Sequence, residues 1–578
     1  MRGLSYRWIE RPAAPPSSTS RSTGLVARVL AARGIDDVDG AFTEPKLSGL
    51  HDPSLLPGLD IAAERILKAA RDGEQIVIWG DYDVDGVTAA AILYHTIRSL
   101  APGAMVRTHI PHRIDEGYGL NSDGVRAVID EGASVIVTVD CGVTAAEPAN
   151  VAASRGVDLI ITDHHTPPSS EHGLPPAFAV VHPGLPSSKY PFHDLCGAGV
   201  AYKLAWRIST LAFGSDRVDE ATRTMLIEHL ALASLGTIAD VVPLLNENRI
   251  IARFGLSRVA STSNIGLQAL IEASGLRGER IRSEDVGFRL GPRLNACGRM
   301  GHAREALELF TTESPTRAAE LAAKLTRMNE ERRATERQIA EEAAAAAESE
   351  GQIQDDHRAI MLAHPNWHPG VVGIVCSRLV ERFGRPTVLL CENDGECFGS
   401  CRSIDGFDIH AALCQCEDVL MTFGGHAMAA GLRLKRENLE DFRERFVRCA
   451  NEHLSPDDLI RALTIDCDAT FDELTPQTVL GLERLAPFGR SNPAPVIRTR
   501  NAIVNDAPTP LGQHGKHLAI RLRHGDRVLK TLAWNWGDRR SAFHIGDEVD
   551  ILIEPKLNTW RGVTSVEPHL LDVRFLNR

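Results

Sequence analysis

The stretch Gln75-Ile-Val-Ile-Trp-Gly-Asp-Tyr-Asp-Val-Asp-Gly86 places three carboxylates directly after an apolar run. Residues 75–79 predict a buried strand, and the Ala- and Leu-rich pattern of residues 87–100 predicts an amphipathic helix behind it. Carboxylates this close in sequence repel one another, and divalent cations commonly neutralise such clusters. The stretch therefore predicts a strand–turn–helix unit whose turn binds metal through Asp81, Asp83 and Asp85.

Two later stretches repeat this arrangement of an apolar strand followed by polar residues. Residues 134–139 and 157–162 both predict strands, and in each case acids or imidazoles follow directly. Because the carboxyl ends of parallel strands share one edge of a sheet, we expect these side chains to converge there. Mixed carboxylate and imidazole ligation favours Mn²⁺, with Mg²⁺ also possible. The converging residues are Asp81, Asp83, Asp85, Asp140, Asp163, His164 and His165.

Three other interpretations of the acidic turn have to be considered. A calcium-binding EF-hand loop also begins Asp-x-Asp-x-Asp-Gly, but it needs a Glu at its twelfth position, where this chain has Ile92. An aspartyl-phosphate phosphatase with Asp83 as nucleophile is a second interpretation. A solvated acidic loop is the third, and it would be preferred if the turn stood alone.

Composition indicates an ordinary globular protein of several domains. The chain has 578 residues, of which 43% are hydrophobic and 24% charged, and single cores rarely exceed about 300 residues. No signal peptide or apolar run of membrane-spanning length is expected. The eleven cysteines include no Cys-x-x-Cys pair, which favours a reducing cytoplasm. The net charge of −13 argues against a general nucleic-acid coat but is compatible with a local basic channel.

Further motifs follow along the chain, and each has an ordinary structural interpretation. Residues 105–110 predict a strand that leads into His112 and Arg113, which could contact a phosphate or lie exposed in a turn. Asp240 follows a predicted helix at residues 228–235, where an acid is usually a cap or a solvated charge. Residues 288–300 place Arg293 and Arg299 near a possible strand, or in a turn with two surface arginines.

Residues 314–350 predict one long helix that is polar nearly all round, which is typical of a connecting element. A coiled coil is the alternative, but no apolar heptad seam persists through it. In residues 351–460, glycines lie beside Ser, Arg and His in two segments, a pattern that suits phosphate binding, although Gly-Gly alone is more often a tight turn. The polar residues of these segments are Ser400, Arg402, Ser403 and His426.

From residue 461 onward, short alternating runs predict a small closed β-barrel such as an OB-fold. The predicted strands are residues 462–466, 496–504, 517–522, 531–534, 548–553 and 565–573. Basic and aromatic residues offer partners for phosphates and stacking surfaces for bases, and the part after residue 500 has 11 Lys/Arg against 9 Asp/Glu. An ordinary barrel with core tryptophans is the alternative. The candidates for nucleic-acid binding are Lys516, Arg521, Arg523, Trp534 and Trp560.

Asp163-His-His165, with the earlier Asp-x-Asp and Asp140, resembles the signature of the DHH phosphoesterase superfamily. The later motifs resemble those of its RecJ-type single-strand-specific exonucleases: Asp240 matches the fourth acidic motif, and residues 288–300 and 485–493 match in turn. Residues 398–403 and 423–431 resemble the accompanying DHHA1 domain. The chain departs from the pattern at Cys401, where Gly is usual, and at Arg490-Ser491, which replaces a Gly-containing pair.

The resemblance implies an α/β protein with a parallel-sheet DHH catalytic domain, a connecting helix, a smaller α/β DHHA1 domain and an OB-like barrel. The corresponding division is an extension at residues 1–50, then residues 51–313, 314–350, 351–460 and 461–578. The implied activity is 5′→3′ hydrolysis of single-stranded DNA to 5′ mononucleotides by a two-metal mechanism, in DNA repair and recombination.

The resemblance also implies roles for individual residues. Asp140 would bridge two ions of Mn²⁺ or Mg²⁺, and His165 would contact the scissile phosphate, while Asp81 and Asp163 would ligate or orient. The remaining metal ligands would be Asp83, Asp85, His164 and Asp240. The implied substrate-binding residues are Arg113, Arg293, Asn295, Arg299, Ser400, Arg402, Ser403 and His426.

Two other function classes stay open on the sequence. One is a DHH-family phosphodiesterase of short oligonucleotides or cyclic dinucleotides, which a long chain with a candidate OB-fold disfavours. The other is a non-catalytic scaffold, which has no need of the intact set of acids and histidines. By analogy we expect a cytoplasmic monomer that acts on single-stranded DNA, with a single-strand-binding protein and a helicase as candidate partners.

Overall fold

The computed structural model describes residues 1–12, 24–37, 40–112, 116–117, 119–168 and 173–577. The chain forms two compact units. The parallel-sheet unit comprises residues 44–332 and 487–493, and the barrel unit comprises residues 1–43, 333–486 and 494–578.

The helices are α1 (Leu25–Ala32), α2 (Leu59–Asp72), α3 (Val84–Leu100), α4 (Ser122–Asp130), α5 (Ala146–Ser154), α6 (Gly197–Phe213), α7 (Glu220–Ala239), α8 (Asn246–Val259), α9 (Ile265–Ala273), α10 (Ser283–Asp285), α11 (Gly291–Met300), α12 (Arg304–Thr311), α13 (Pro315–Ser349), α14 (Pro369–Phe383), α15 (Ile409–Cys414), α16 (Leu439–His453) and α17 (Pro476–Glu483).

The strands are β1 (Arg7–Glu10), β2 (Ile76–Gly80), β3 (Val106–His109), β4 (Val135–Val139), β5 (Asp158–Thr162), β6 (Ala179–Val181), β7 (Ile360–His364), β8 (Thr387–Asn393), β9 (Glu396–Arg402), β10 (Thr422–His426), β11 (Ala429–Lys435), β12 (Ala462–Ile465), β13 (Cys467–Asp468), β14 (Ile497–Val504), β15 (Thr509–Leu511), β16 (His517–His524), β17 (Arg527–Ala533), β18 (Glu548–Glu554), β19 (Leu557–Trp560), β20 (Val563–Val566) and β21 (His569–Phe575).

The parallel-sheet unit is built on a five-stranded sheet in the order β3-β2-β4-β5-β6, and every neighbouring pair in it is parallel. Strands β2 and β4 are buried at every residue, which explains why they are continuous apolar runs without alternation. Helix α3 packs against α6 and α7 in one hydrophobic core with the sheet. The predicted parallel sheet is therefore confirmed, and its carboxyl edge carries the acidic turn.

A buried ion pair joins three segments of this unit. Lys203 on α6 and Glu247 on α8 have fully buried side chains, with Nζ and Oε1 2.5 Å apart. Glu247 also accepts from the hydroxyl of Tyr190 at 2.5 Å and from the backbone N–H of His51 at 2.8 Å. The Lys203 ammonium donates to the His51 carbonyl at 2.6 Å. Because both charged groups have hydrogen-bond partners, we interpret Lys203 and Glu247 as a structural pair and not as reactive groups.

The segment that includes Arg293 and Arg299 is helical, and its prediction as lying near a strand was wrong. A π-helical turn at Val286–Leu290 leads into α11, with Pro292 in its first turn. Proline is well tolerated there because the first N–H groups of a helix have no partner within the helix. The run of two glycines, a proline and two arginines masked the 3.6-residue periodicity in the sequence.

Helix α13 confirms the predicted long helix, although it is not polar all round in the fold. Its small and apolar side chains form a buried stripe that includes Leu321, Leu325 and Ile339. Several of the remaining buried positions are alanines, whose small side chains gave no recognisable heptad seam in the sequence.

In the barrel unit, a five-stranded mixed sheet has the order β10-β11-β9-β8-β7. Strands β10 and β11 form a hairpin, so the Gly-Gly segment lies in a strand and not in a tight turn. Cys401 on β9 is fully buried between Val388 and Ala430, and it belongs to the core of this layer. The cysteine therefore fits where the family pattern usually has glycine.

Residues 461–577 confirm the predicted barrel. The strands follow the order β14-β18-β21-β17-β16, and β16 also pairs with β14, which closes the ring. The prediction of one strand at residues 565–573 was wrong, because β20 and β21 are separate there and β20 forms a hairpin with β19. The short strands β13 and β15 were not predicted, since two or three residues carry no readable alternation.

The first residues of the chain are built into the barrel unit. Strand β1 pairs in parallel with β12. Trp8 is buried, and its indole N–H donates to Asp572 at 2.8 Å. Nothing in the sequence indicated these contacts, which join residues more than 450 positions apart. Helix α1 lies within the predicted extension, and residues 13–23 lie outside the described residues. Among the described residues, no helix is both long and apolar enough to span a membrane.

We expect removal of one partner of the buried Lys203–Glu247 pair to destabilise the parallel-sheet unit. Glu247→Gln leaves a buried ammonium without a counter-charge and should lower the free energy of unfolding by about 3–5 kcal/mol. The double variant Lys203→Met/Glu247→Gln should lose much less than the sum of the two single variants. Urea unfolding followed by circular dichroism measures these values. Asp72→Asn, which removes the exposed pair with Lys68, is the matched control. If the loss of stability in the double variant equalled the sum of the losses in the two single variants, the buried pairing would be contradicted.

His229 on α7 should make the stability of this unit dependent on pH. Burial, helped by the neighbouring His95, lowers the pKa of His229 to about 3. The unfolded chain binds a proton near pH 6.5, so stability is fully present above that pH and falls as the pH drops towards 3. His229→Leu should therefore lose less stability between pH 7 and pH 5 than the wild type, whereas the exposed His193→Leu should behave like the wild type. Parallel curves for all three would refute this assignment.

Candidate metal centre

Three neighbouring strands deliver acids and imidazoles to one edge of the parallel sheet. Asp81 follows β2, Asp140 follows β4, and Asp163-His-His165 follows β5, while Asp240 arrives from the end of α7. The cluster contains three groups of three residues that share members, and within each group the ligand atoms lie within 4.8 Å of one another. These groups are Asp81–Asp83–Asp140, Asp85–His164–Asp240 and Asp140–His164–His165. The convergence predicted from the three strand ends is therefore present in the structure.

Helix N-termini hold two of the carboxylates in the turn. Asp83 caps α3 by accepting from the backbone N–H groups of Asp85 and Gly86 at 2.8 and 3.1 Å. Asp85, which is buried, accepts from the first two N–H groups of α6, those of Gly197 and Ala198, at 2.6 and 2.8 Å. Helix N-termini stabilise negative charge through these N–H groups and the helix dipole. The helices therefore offset part of the repulsion within the turn.

Glycines allow the helices to approach this closely. A Cβ atom at Gly197 would lie 2.5 Å from the Cβ of Asp140, and one at Gly236 on α7 would lie 2.3 Å from Oδ1 of Asp85. Asp140 itself has φ +63°, a left-handed conformation that non-glycine residues seldom adopt. This conformation turns its carboxylate into the cluster, and such outliers are concentrated at functional sites.

His164 lies among three carboxylates. Its Nε2 atom is 3.1 Å from Asp140, 3.6 Å from Asp240 and 3.8 Å from Asp85. Among the described residues, neither His164 Nε2 nor Asp140 Oδ1 has a hydrogen-bond partner, although both atoms are buried. Buried polar atoms are otherwise nearly always satisfied. A divalent cation with oxygen and imidazole ligands fits this donor set.

Asp163 and His165 form a tightly bonded pair at the rim of the cluster. Asp163 Oδ1 accepts from His165 Nδ1 at 2.7 Å and Oδ2 accepts from the Val143 N–H at 2.9 Å. Burial opposes ionisation of Asp163, but the hydrogen bonds and charge of His165 lower its pKa to about 2. In turn, burial opposes protonation of His165, but Asp163 raises its pKa to about 9. Asp163 is therefore occupied in orienting His165, which carries positive charge at neutral pH.

Three carboxylates of the cluster, Asp85, Asp140 and Asp240, have pKa values above the usual range. Burial raises the pKa of Asp140 and of Asp85, and neighbouring carboxylates raise both further. For Asp240, burial and the charges of Asp85 and Asp83 raise the pKa to about 8. The protein groups alone thus disfavour full ionisation of the cluster, and bound cations would reverse this by supplying the missing positive charge.

Sequence analysis missed residues that support the centre. His182, after β6, donates through Nε2 to the His165 carbonyl at 2.7 Å, and its Nδ1 accepts from Gly184 at 2.9 Å. The run Ala-Val-Val before it is the only strand signal at this position, and three residues are too few to predict a strand from the pattern used for β2, β4 and β5. The position of Arg490 beside Asp240 was also missed: its Nη1 donates to the Val241 carbonyl at 3.4 Å.

Helix α11 braces the acidic turn from outside. Asn295 Oδ1 accepts from the backbone N–H of Val84, the first residue of α3, at 3.1 Å. A Cβ atom at Gly298 would lie 3.0 Å from the Tyr82 carbonyl. Arg293 donates to the Arg289 carbonyl at 2.6 Å, and Arg299 is half-buried at the end of the helix. The structure thus brings Asn295 to the turn itself, as a support for its backbone.

The candidate phosphate-binding residues of the mixed sheet fall into two groups. Ser400 and Arg402 lie on β9 against α14, where a Cβ atom at Gly373 would be 3.0 Å from Ser400 Oγ and 3.3 Å from Arg402 Nη2. Ser403 is buried and donates to the Phe407 carbonyl at 2.6 Å, and His426 is exposed on β10. Arg113 lies outside the described residues.

The candidate nucleic-acid-binding residues of the barrel are exposed. Trp534 and Trp560 are 45% and 70% exposed, whereas Trp536 is buried. Arg521 and Arg523 lie on the outer face of β16, and Lys516 lies before that strand. Two of the three tryptophans in this part of the chain are therefore available for stacking and do not belong to the barrel core.

Comparison with known families identifies three domains in this chain. A family model of the DHH family, N-terminal domain, matches residues 75–237. A model of the DHHA1 domain matches residues 356–452, and a model of the RecJ OB domain matches residues 465–572. The first match contains all the residues of the cluster except Asp240.

Relatives match along almost the whole chain. The Single-stranded-DNA-specific exonuclease RecJ of Dickeya dadantii is 34% identical over 96% of this chain and 97% of its own length. That of Bacillus subtilis is 39% identical over 93% of this chain, which spans 66% of the relative's length. The crystal structure of RecJ in complex with Mn²⁺ from Thermus thermophilus superposes with a TM-score of 0.82 at 32% identity, covering 98% of this chain and 79% of that one. This chain belongs to the RecJ family of single-stranded-DNA-specific exonucleases.

Proposed function

We propose that this protein is a metal-dependent exonuclease that hydrolyses single-stranded DNA in the 5′→3′ direction to 5′ mononucleotides, in DNA repair and recombination. The observation that carries the proposal is the convergence of Asp140, His164 and Asp240 with the acidic turn at one sheet edge. The relatives are named as single-stranded-DNA-specific exonucleases, which supports the substrate class. A phosphodiesterase of short oligonucleotides is the alternative, and the exposed Trp534 and Trp560 favour longer strands.

Two divalent cations, Mn²⁺ or Mg²⁺, are the proposed cofactors, and the solved relatives are described as complexes with these ions. Asp140 is central to the cluster and would be shared by both ions. The outer ligands would be Asp83, Asp85, His164 and Asp240, with Asp81 completing the first group. When bound, the cations would lower the pKa of water and offset the charge of the phosphate.

The chain's own residues would orient the scissile phosphate. His165, held by Asp163 and charged at neutral pH, offers its remaining ring N–H to a phosphate oxygen as negative charge develops there. Asn295 would keep the turn in place through the backbone of Val84. Arg293 and Arg299 on the same helix are proposed as additional phosphate contacts. Arg113, predicted for the same purpose, lies outside the described residues.

Recognition of the strand end is proposed for Ser400 and Arg402. Both lie against Gly373 of α14, where the absence of a side chain leaves room for the hydroxyl and the guanidinium, and both are half-buried. Arg402 donates through Nη1 to the Cys401 carbonyl at 2.7 Å, and its other N–H groups are proposed to bind the phosphate. Arginine binds a phosphate dianion bidentately, and the serine hydroxyl adds a donor. His426 is an exposed candidate for the same phosphate, while the hydroxyl of Ser403 is engaged within the fold.

We also propose a domain organisation, an oligomeric state and partners for this protein. We propose the division into residues 1–50, 51–313, 314–350, 351–460 and 461–578, with the barrel binding the strand through Lys516, Arg521, Arg523, Trp534 and Trp560. We further propose a monomer in the cytoplasm, where the eleven free cysteines would stay reduced. A single-strand-binding protein and a helicase are the proposed partners.

Incubating the full chain with 5′- and 3′-labelled single strands and duplexes tests the function directly. We expect mononucleotide release from single strands with Mn²⁺ or Mg²⁺, and none with chelator. Asp140→Asn should slow hydrolysis by about a hundred- to a thousand-fold, because it removes the shared carboxylate. Asp123→Asn, which alters an exposed acid of the same unit, is the control. Asp140→Asn activity within a few-fold of wild type would sink the metal assignment, and degradation from the 3′ end would sink the polarity.

Arg402→Ala should reduce the preference for 5′-phosphorylated over 5′-hydroxyl strands. A charge-assisted contact contributes about 1.5–3 kcal/mol, so the ratio of kcat/KM on the two strands should fall roughly ten- to a hundred-fold. Arg433→Ala, on the neighbouring strand β11 and paired with Glu396 at 3.0 Å, should leave that ratio unchanged. If Arg402→Ala slows both strands equally, the residue serves the scissile phosphate or the fold, and the end of the strand is recognised elsewhere.

A further inference from the structure

The barrel unit contains a cavity whose lining includes none of the candidate metal ligands and neither Ser400 nor Arg402. Its volume is about 490 Å³, within the range of small-molecule sites. Four segments of the barrel unit line it, at residues 2 and 4–6, 381–384, 459–461, and 534–536 with 539. These are the start of the chain, the end of α14, the approach to β12 and the segment after β17.

Positive charge predominates in this cavity. Four arginines line it, against the single acid Glu381: Arg2, Arg382, Arg461 and Arg539. Arg382 pairs with Glu348 at 2.7 Å. Over the described part of the chain, no carboxylate lies within 4.0 Å of the other three guanidinium groups. An anion is therefore the natural ligand, because three cations here lack a charged partner in the protein.

Aromatic rings hold these arginines in place. The guanidinium of Arg461 lies 5.5 Å from the ring centre of Tyr6, and that of Arg539 lies 4.9 Å from that of Trp536. Arg539 also donates to the hydroxyl of Ser5. Stacking on a ring fixes the guanidinium plane and leaves its N–H edges for an acceptor. The donors are thus ordered before any ligand arrives, which lowers the entropic cost of binding.

One ring of the cavity is open for stacking. Trp534 is 45% exposed, and His517 and His569 contact it in T-shaped arrangements, with ring centres 4.8 and 5.6 Å away. These contacts fix the indole while leaving part of it uncovered. A planar aromatic ligand can stack on such a surface, and base stacking contributes about 1–3 kcal/mol.

We propose that this cavity is a nucleotide-binding site, with the base stacked on Trp534 and the phosphate held by Arg461 and Arg539. An acidic peptide would satisfy the arginines but would leave the indole unused, so the combination favours a nucleoside phosphate. Two sources share this chemistry: a free nucleotide, or one nucleotide of a single strand. Trp534 is also among the residues proposed above to bind the strand, so binding of a strand nucleotide rests on the proposed function and locates that contact in this cavity, whereas binding of a free nucleotide goes beyond it. Binding can be measured without turnover, so failure of the site and failure of the hydrolysis are distinguishable.

Calorimetric titration of the full chain in chelator, which prevents hydrolysis, tests the site. The probes are dAMP, adenosine, inorganic phosphate and a glutamate-rich hexapeptide. We expect dAMP to bind at least about ten-fold more tightly than the other three, because only it offers both a base and a phosphate. Equal or tighter binding of the hexapeptide would overturn the proposal in favour of a general polyanion site.

Variants locate the binding in the cavity. Trp534→Ala and Arg461→Ala should each weaken dAMP binding about ten-fold or more, and Trp534→Phe, which keeps a ring, should restore most of it. Arg448→Ala, an exposed arginine of the same unit outside the cavity, is the matched control and should bind like the wild type. Unchanged dAMP affinity in both Trp534→Ala and Arg461→Ala would refute the site.

A twelve-nucleotide oligo(dT) distinguishes the two sources. If dAMP binds and the oligonucleotide binds no more tightly, the site takes free nucleotides. If the oligonucleotide binds more tightly than dAMP and Trp534→Ala weakens the binding of both about ten-fold, the site takes a nucleotide of the strand. If neither ligand responds to Trp534→Ala or Arg461→Ala while both variants keep the wild-type circular dichroism spectrum, the proposal is wrong.

Discussion

Repulsion among carboxylates is the constraint around which the parallel-sheet unit is arranged. Ligand atoms of Asp81, Asp83 and Asp140 lie within 4.8 Å of one another at one sheet edge, and Asp85 lies in a second group with His164 and Asp240. Asp81, Asp85 and Asp140 are buried. In a medium of low polarity such a cluster strongly disfavours ionisation, which is visible in the raised pKa values of Asp85 and Asp140. Backbone N–H groups at helix N-termini donate hydrogen bonds to Asp83 and Asp85 and so stabilise part of the negative charge of the cluster.

Helix placement follows from this constraint. The N-termini of α3 and α6 both point at the turn, and Gly197 allows α6 to approach Asp140 without a clash. The N–H groups offset only part of the charge, so the centre remains suited to divalent cations. Asp163 differs from Asp85 and Asp140 because its hydrogen bonds to His165 lower its pKa, whereas the pKa values of those two acids rise. Neighbouring acids on one sheet edge can therefore serve different purposes.

The sequence predicted the parallel sheet and its acidic edge well, because buried parallel strands are unbroken apolar runs and the polar residues that follow them are conspicuous. It failed where the signal is weak or distant. Helix α11 was missed because glycine, proline and arginine dilute its apolar period, and His182 because β6 has only three residues. The pairing of β1 with β12 depends on residues far apart in the chain, which no local pattern encodes. The role of an individual residue, such as the hydrogen bond from Val84 to Asn295, depends on its position to within a few tenths of an ångström, which a sequence pattern does not specify.

The burial of Trp8 against Asp572 has a consequence for how the protein is made. Strand β1 is synthesised first, yet its partner strand β12 is more than 450 residues away. At about 5–20 residues per second, a ribosome needs roughly half a minute or more to reach it. Until then an apolar indole and an unpaired strand edge stay exposed on the nascent chain, as features that chaperones bind and that promote aggregation. The barrel unit must therefore assemble late, after most of the parallel-sheet unit has already left the ribosome.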